Sequence, residues 1–210
     1  MELFIAIFAG LFSIINPLGT VPIFVGLTTN ESPKNRQRTS LLTAVNVVVI
    51  LIIAFFSGSY VLNFFGISIN SLRIAGGLII ASSGFALLTG SFSKHKGMKR
   101  SSVQADLEKR SDISLTPLAI PMLAGPGSIS LLITLNQLHK ETNQILIIVG
   151  AILAVGMAVF LILRSSHFIV KGLGASGINA ISRIIGFIVI AIGIEYISTA
   201  VIELIQKVLI

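Results

Sequence analysis

Six long and continuous apolar runs follow one another along the 210-residue chain. A membrane-spanning helix needs about 20 mostly apolar residues, so runs of this length can cross a bilayer. Charged residues make up only 11% of the chain, against about 25% in soluble domains, and runs without alternation exclude an outer-membrane barrel. The sequence predicts an all-α, polytopic membrane bundle of six transmembrane helices, at roughly 3–28, 40–65, 72–90, 114–138, 143–164 and 182–205.

Basic residues lie almost wholly between the apolar runs. Because lysine and arginine favour the cytoplasmic side of a membrane, loops one, three and five are expected in the cytoplasm and both termini outside. The first run lacks a basic leader and a clear cleavage site, so we interpret it as a retained span. The net charge of +7 thus marks topology, and nucleic acid is not an expected partner. The three loops contain Lys34, Arg36 and Arg38; Lys94, Lys96, Lys99, Arg100, Lys109 and Arg110; and Arg164, Lys171 and Arg183, whereas the other side has only Arg73, Lys140 and Lys207.

A single polar segment, 91–113, divides what we interpret as one membrane domain, 1–210, into halves 1–90 and 114–210. Pro17 and Pro126 are 109 residues apart, and Arg73 and Arg183 are 110 apart. Three spans in each half would make the halves cross the membrane in opposite directions. This predicts the 3+3 inverted repeat of many secondary transporters, joined by a cytoplasmic linker. Chance similarity between two apolar, glycine-rich halves is the alternative.

Helices 1 and 4 are predicted to be interrupted by proline and glycine near their centres. Both residues deprive backbone groups of helical partners, which hydrocarbon tolerates only where protein or a polar cavity satisfies them. Half-helix ends and freed carbonyls can bind a small polar or zwitterionic solute. A pair of packing kinks is the alternative. The candidate substrate-binding residues are Asn16, Pro17, Gly19 and Thr20, together with Gly125, Pro126, Gly127 and Ser128.

Glu195 lies near the centre of the sixth run and is a candidate proton-coupling group. Burying its anion is costly unless the charge is paired or neutralised, which would raise its pKa. The alternative is a structural carboxylate satisfied by a neighbouring span.

Two arginines, Arg73 and Arg183, begin the third and sixth runs. We expect them to extend toward the lipid head groups or to cap the repeat interface. Contact with substrate is the less favoured alternative. Small residues seven apart predict close helix packing, in the pairs Gly76 and Ser83, Gly77 and Gly84, and Gly186 and Gly193.

No pattern in the sequence indicates an enzyme. The chain has no cysteine, its three histidines lack metal-ligand spacing, and no nucleotide-binding or hydrolase motif is present. We therefore expect no catalytic residue, no metal site and no cofactor.

Several segments strongly resemble the MarC family of bacterial inner-membrane proteins. They are 15–24, 66–78, 117–127 and 177–187, so the resemblance covers nearly the whole chain. The resemblance implies a six-span bundle of the bacterial inner membrane, related to the broad LysE-type exporter group, with some members linked to small neutral amino acids.

The leading functional expectation is therefore a transporter, an exporter or exchanger of small neutral amino acids that uses the two interrupted helices as its site. Its expected partners are the lipid bilayer and a small neutral solute, and a homo-oligomer is left open. The second hypothesis is a membrane scaffold or sensor that acts through the basic linker without transporting a solute.

Overall fold

The computed structural model describes residues 1–29, 31–90 and 113–209, and every regular element in these ranges is helical. The linker predicted at 91–113 lies outside the described residues except for its last position. The helices are α1 (Glu2–Ile15), α2 (Pro17–Leu27), α3 (Pro33–Phe65), α4 (Ile69–Leu88), the π-helical α5 (Ser114–Leu123), α6 (Pro126–Leu138), α7 (Thr142–Arg164) and α8 (Ser166–Leu209). The last of these is kinked at Gly174, whose φ of 64° and ψ of 174° are not helical.

Five helical segments of the described chain are long and apolar enough to cross a membrane. The predicted fourth span, 114–138, consists of α5 and α6, of 10 and 13 residues, which are separated at Ala124 and Gly125 and do not form one continuous segment of membrane length. The structure thus has five membrane-length segments, and two short helices stand where the fourth span was predicted. The five are Glu2–Leu27, Pro33–Phe65, Ile69–Leu88, Thr142–Arg164 and Ser176–Lys207.

Local sequence signals explain where the third and fourth helices begin. The side chains of Ser32 and Ser68 accept hydrogen bonds from the amides of Asn35 and Ser71, and so cap α3 and α4. Gly66 ends α3 with a left-handed φ of 64°, a conformation that glycine adopts without steric cost. The chain can therefore turn back within three residues, and α4 re-enters the bundle beside α6.

The core lies between α1, α3 and α7, with α5 closing one side. Close van der Waals packing of the core side chains holds the bundle together, since lipid gives helices little hydrophobic drive to associate. The largest fully buried side chains include Leu11, Ile15, Phe24, Leu51, Phe55, Met122, Ile148 and Ile152.

Helices α4 and α8 pack against each other more extensively than any other pair in the described chain. A Cβ on Gly77 would lie 2.6 Å from the carbonyl oxygen of Gly193, and one on Gly84 would lie 2.7 Å from that of Gly186. Only glycine permits two backbones to approach this closely. The predicted packing role of these four glycines is confirmed.

The first turns of α3 and α8 lie at the same end of the bundle. Burial of the imidazole lowers the pKa of His167 from its usual value, and the charge of nearby Arg36, in the first turn of α3, lowers it further. Loop one and the connection after α7, both rich in basic residues, therefore share one side.

Candidate functional site

The first helix break is centred on Asn16. Its backbone has φ 47° and ψ 65°, and no other non-glycine residue of the described chain has a positive φ. Asparagine tolerates this left-handed conformation better than most residues, and Pro17 can begin a helix because the first helical position needs no amide donor. The sequence therefore ends α1 and restarts the chain as α2 within one residue.

The Asn16 side chain is fully buried, and only part of its hydrogen-bonding capacity is used. Its Oδ1 accepts a 3.2 Å hydrogen bond from the amide of Gly19, and a Cβ at position 19 would overlap its Nδ2. Thr20, also fully buried, donates from its hydroxyl to the carbonyl oxygen of Asn16 at 3.4 Å. The Nδ2 of Asn16 has no hydrogen-bond partner among the described residues.

The second break separates α5 from α6. Pro117 and Pro121 lack amide donors, and α5 has the wider π-helical spacing, with the amide of Ala124 bonded to the carbonyl of Ala119 at 2.8 Å. Gly125 is extended, and α6 begins at Pro126. The carbonyl of Gly125 accepts the first helical bond of α6 from the amide of Ile129 at 3.2 Å and a second bond from the hydroxyl of the buried Ser128 at 2.9 Å. Such π-helical turns often occur at functional sites.

The two breaks adjoin one another. A Cβ on Gly127 would lie 3.3 Å from Cγ2 of Ile14, which precedes Asn16 by two residues, and 2.9 Å from Cγ1 of Ile80. Gly127 is therefore close-packed between α1 and α4. Pro17 is buried, whereas Pro126 is exposed on the surface of the chain.

Glu195 does not lie with the breaks. It is exposed, and it follows Gly193 by two residues, which places it about 200° around α8 from the contact with α4. Within the described chain its carboxylate accepts only a 3.4 Å hydrogen bond, from the hydroxyl of Thr199.

Sequence reasoning missed an ion pair between Arg73 and Glu203. The Nη1 of Arg73 donates to Oε1 of Glu203 at 2.7 Å, and the side chains are 10% and 40% exposed. One signal was present: α4 begins and α8 ends on the same predicted side, with opposite charges near those ends. Arg183, which corresponds to Arg73 in the predicted repeat, is exposed.

The described residues contain no cluster of three or more histidine, aspartate or glutamate side chains that could hold a metal ion. The polar groups of the interior are amides, hydroxyls and one buried guanidinium. These groups can bind a polar solute by hydrogen bonds and charge.

The apolar helices, the close glycine contacts and the paired breaks define a multi-pass α-helical integral membrane protein. The family model described as MarC family integral membrane protein matches residues 1–205. The chain belongs to the MarC family, and the resemblance found in the sequence is confirmed.

Relatives of known name match the chain along nearly its whole length. A UPF0056 membrane protein of Buchnera aphidicola subsp. Acyrthosiphon pisum is 37% identical over 96% of this chain and 93% of its own. The UPF0056 inner membrane protein MarC of Salmonella typhimurium is 38% identical over 98% of both chains. No solved structure matches the chain.

Proposed function

We propose that this protein is a transporter of the bacterial inner membrane that exports or exchanges small neutral amino acids. The solute binds where the two helix breaks meet. The observation that carries the proposal is the contact of Gly127 with Ile14, which brings both breaks to one place beside the buried and unpartnered Nδ2 of Asn16. A pair of unrelated packing kinks would have no reason to adjoin.

The ends of the half-helices give this place its chemistry. Both α2 and α6 begin at a break, so the positive ends of two helix dipoles are directed toward it. A carboxylate group can bind at such ends, as in transporters with discontinuous helices. The amide of Asn16 supplies a further donor, and the hydroxyls of Thr20 and Ser128 supply adjustable ones.

The size of the proposed solute follows from the glycines. Asn16 fills the space beside Gly19, and Ile14 and Ile80 fill the space beside Gly127, so the breaks are closely packed on these sides and a bulky solute is disfavoured. Small amino acids such as glycine and alanine fit this restriction, and the family resemblance points to the same class.

The proposal includes a six-span, 3+3 inverted repeat. Moving seven residues forward along α4, from Gly77 to Gly84, moves seven residues backward along α8, from Gly193 to Gly186, so the helices are antiparallel. Antiparallel packing is what an inverted repeat requires of α4 and α8, which contain the third span of each half, with Arg73 and Arg183 110 residues apart. In this arrangement α5 and α6 together form the fourth span.

Proton coupling is assigned to Glu195, because the remaining acidic side chains of the described chain lie nearer the ends of their helices. It would act from the exposed side of α8 and not from the breaks. Both termini are proposed to be periplasmic or extracellular, and no enzymatic activity is assigned.

Solute counterflow in proteoliposomes tests the proposed function. Vesicles loaded with unlabelled alanine should transiently accumulate labelled alanine from outside, and vesicles without protein should not. Absence of accumulation for both alanine and glycine would contradict the proposal and favour a scaffold or sensor.

A further inference from the structure

A second group of buried polar atoms lies where α4 begins and α8 ends, away from the helix breaks. Arg73 is 8% exposed and its Nη1 is paired with Glu203. Its Nε is buried and has no hydrogen-bond partner in the described part of the chain. The ion pair therefore uses only part of the guanidinium, and one charged donor is left without a partner.

Two further unpartnered atoms belong to Asn70 and Thr134. Asn70 is 2% exposed and precedes Arg73 by one helical turn, and its Oδ1 has no partner within the described ranges. Thr134 is fully buried, and its hydroxyl likewise has no partner among the residues described.

The packing of α6 against α4 brings Thr134 to the level of the other two residues. Gly127 contacts Ile80, and Ser130 contacts Gly76 and donates to the carbonyl oxygen of Leu72 at 3.3 Å. The two helices are therefore antiparallel. One further turn of α6 from Ser130 places Thr134 beside the first turns of α4, which contain Asn70 and Arg73.

Buried polar groups in proteins are hydrogen-bonded in the great majority of cases, so three unpartnered atoms at one level require an explanation. They differ in character: Arg73 Nε and the Thr134 hydroxyl can donate, and Asn70 Oδ1 can accept. Glu203, which is 40% exposed, adds a negative charge at the open edge. A simple anion would leave the acceptors unused, and a simple cation would leave the donors unused.

We propose that Asn70, Arg73, Thr134 and Glu203, named here the Arg73 cluster, form a second binding site for a small zwitterion. The carboxylate of the ligand binds to Arg73 Nε and the Thr134 hydroxyl. The ammonium group binds to Asn70 Oδ1 and the carboxylate of Glu203. Arg73 keeps its Nη1 contact with Glu203, since the ligand uses the separate Nε.

The Arg73 cluster is separate from the site at the breaks. Thr134 follows Gly127 by seven residues of α6, which corresponds to about 10 Å along the helix axis. The buried hydroxyl of Ser130 lies between them. The proposal rests on the proposed transport of small amino acids, and it places an entry or exit site at the predicted outer end of the solute's path.

Equilibrium binding of labelled alanine to the purified full-length protein tests the inference through stoichiometry. The wild type should bind two alanines per chain, and Thr134→Val, which keeps the shape but removes the hydroxyl, should bind one. Because the hydroxyl has no partner in the described structure, its removal should leave the melting temperature unchanged or raise it.

Thr43→Val is the matched control. Thr43 is also fully buried, and its hydroxyl has no partner within the described ranges. It lies 22 residues before α3 ends at Phe65, however, and is therefore far from the end of the bundle where α4 begins and the Arg73 cluster lies. It should still bind two alanines. Unlabelled methylamine and propionate, which each carry one half of the zwitterion, should displace alanine from the second site far less effectively than glycine does.

The outcomes separate this inference from the proposed function. One bound alanine in both the wild type and Thr134→Val would overturn the Arg73 cluster as a site and leave the break site intact. Displacement by propionate as effective as by glycine would overturn the assignment of a zwitterion. No bound alanine in the wild type would contradict the proposed function itself, and the second site with it.

Discussion

Ile14 and Gly127, from opposite halves of the sequence, are in contact: a Cβ on Gly127 would lie 3.3 Å from Cγ2 of Ile14. Each residue lies within two positions of a helix break, since α1 ends at Ile15 and α6 begins at Pro126. The contact brings together two segments whose backbone groups lack helical partners. Apolar side chains of Ile14 and Ile80 fill the space beside Gly127, and the unpartnered polar atom at the breaks is the buried Nδ2 of Asn16.

The glycine contacts between α4 and α8 should be sensitive to a single added methyl group. Gly77→Ala would place Cβ 2.6 Å from the backbone oxygen of Gly193, which cannot move aside as a side chain can. Overpacking of this kind costs about 1–3 kcal/mol of unfolding free energy. Thermal unfolding in detergent should show a clear fall in melting temperature.

The control for this substitution is Gly26→Ala. Gly26 lies within α2 with nothing in the described structure within 4 Å of an added Cβ, and alanine is the better helix former. Its melting temperature should be equal or higher. Equal losses for both variants would show that the α4–α8 contact is not the cause.

Removing Glu203 from the Arg73–Glu203 pair should cost more stability than removing Arg73. Glu203→Gln leaves a buried guanidinium without its counter-ion, and we expect a loss of about 1–3 kcal/mol, less than the roughly 3–5 kcal/mol of a fully buried pair, because Glu203 is 40% exposed. Arg73→Met leaves only a half-exposed carboxylate that can reach the lipid head groups, so it should cost less. Denaturation of both variants checks the order, and the reverse order would refute this description of the pair.

Much of the fold could be predicted from the sequence because apolar run length and proline position act locally. The predicted ends of the first five runs fall within two residues of Leu27, Phe65, Leu88, Leu138 and Arg164, where the corresponding helices end. The break between Asn16 and Pro17 was likewise predictable, since a residue that tolerates positive φ precedes a proline there.

Other features depend on which helix faces meet, and sequence periodicity alone does not give that information. Arg73 and Glu203 are 130 residues apart, and nothing local indicates their pairing. Glu195 lies two residues after Gly193, on the opposite side of α8. Its exposure could have been inferred only if the sequence had shown that Gly193 faces α4. The π-helical form of α5 was not predicted, because proline positions indicate an interruption and not which hydrogen-bond spacing replaces the regular helix.

The positions of the termini can be tested with a reporter that is active only outside the cytoplasm. Fusion after Ile210 should give an active reporter, because basic residues place loops one, three and five in the cytoplasm. Fusion after Gly90, at the start of the basic linker, should give an inactive one. The opposite pair of results would reverse the proposed topology.

Glu195→Gln keeps the shape of the side chain and removes its titration. If Glu195 couples protons to transport, alanine counterflow by the variant should lose its dependence on pH while the protein remains folded. Glu2→Gln, an exposed change at the start of α1, is the control and should keep the wild-type pH profile. A wild-type profile in Glu195→Gln would assign that residue a structural role.

The central claim is that the paired helix breaks bind the solute, and the affinity of Asn16→Gly for alanine tests it most directly. Glycine adopts φ 47° freely, and replacing an asparagine cap by glycine costs only a few tenths of a kcal/mol, so the variant should fold as the wild type does. Loss of the buried Nδ2 donor should weaken alanine binding at the break site by about tenfold, equivalent to about 1.4 kcal/mol. Binding measured by equilibrium dialysis on the folded variant should show this loss, and wild-type affinity in Asn16→Gly would contradict the claim.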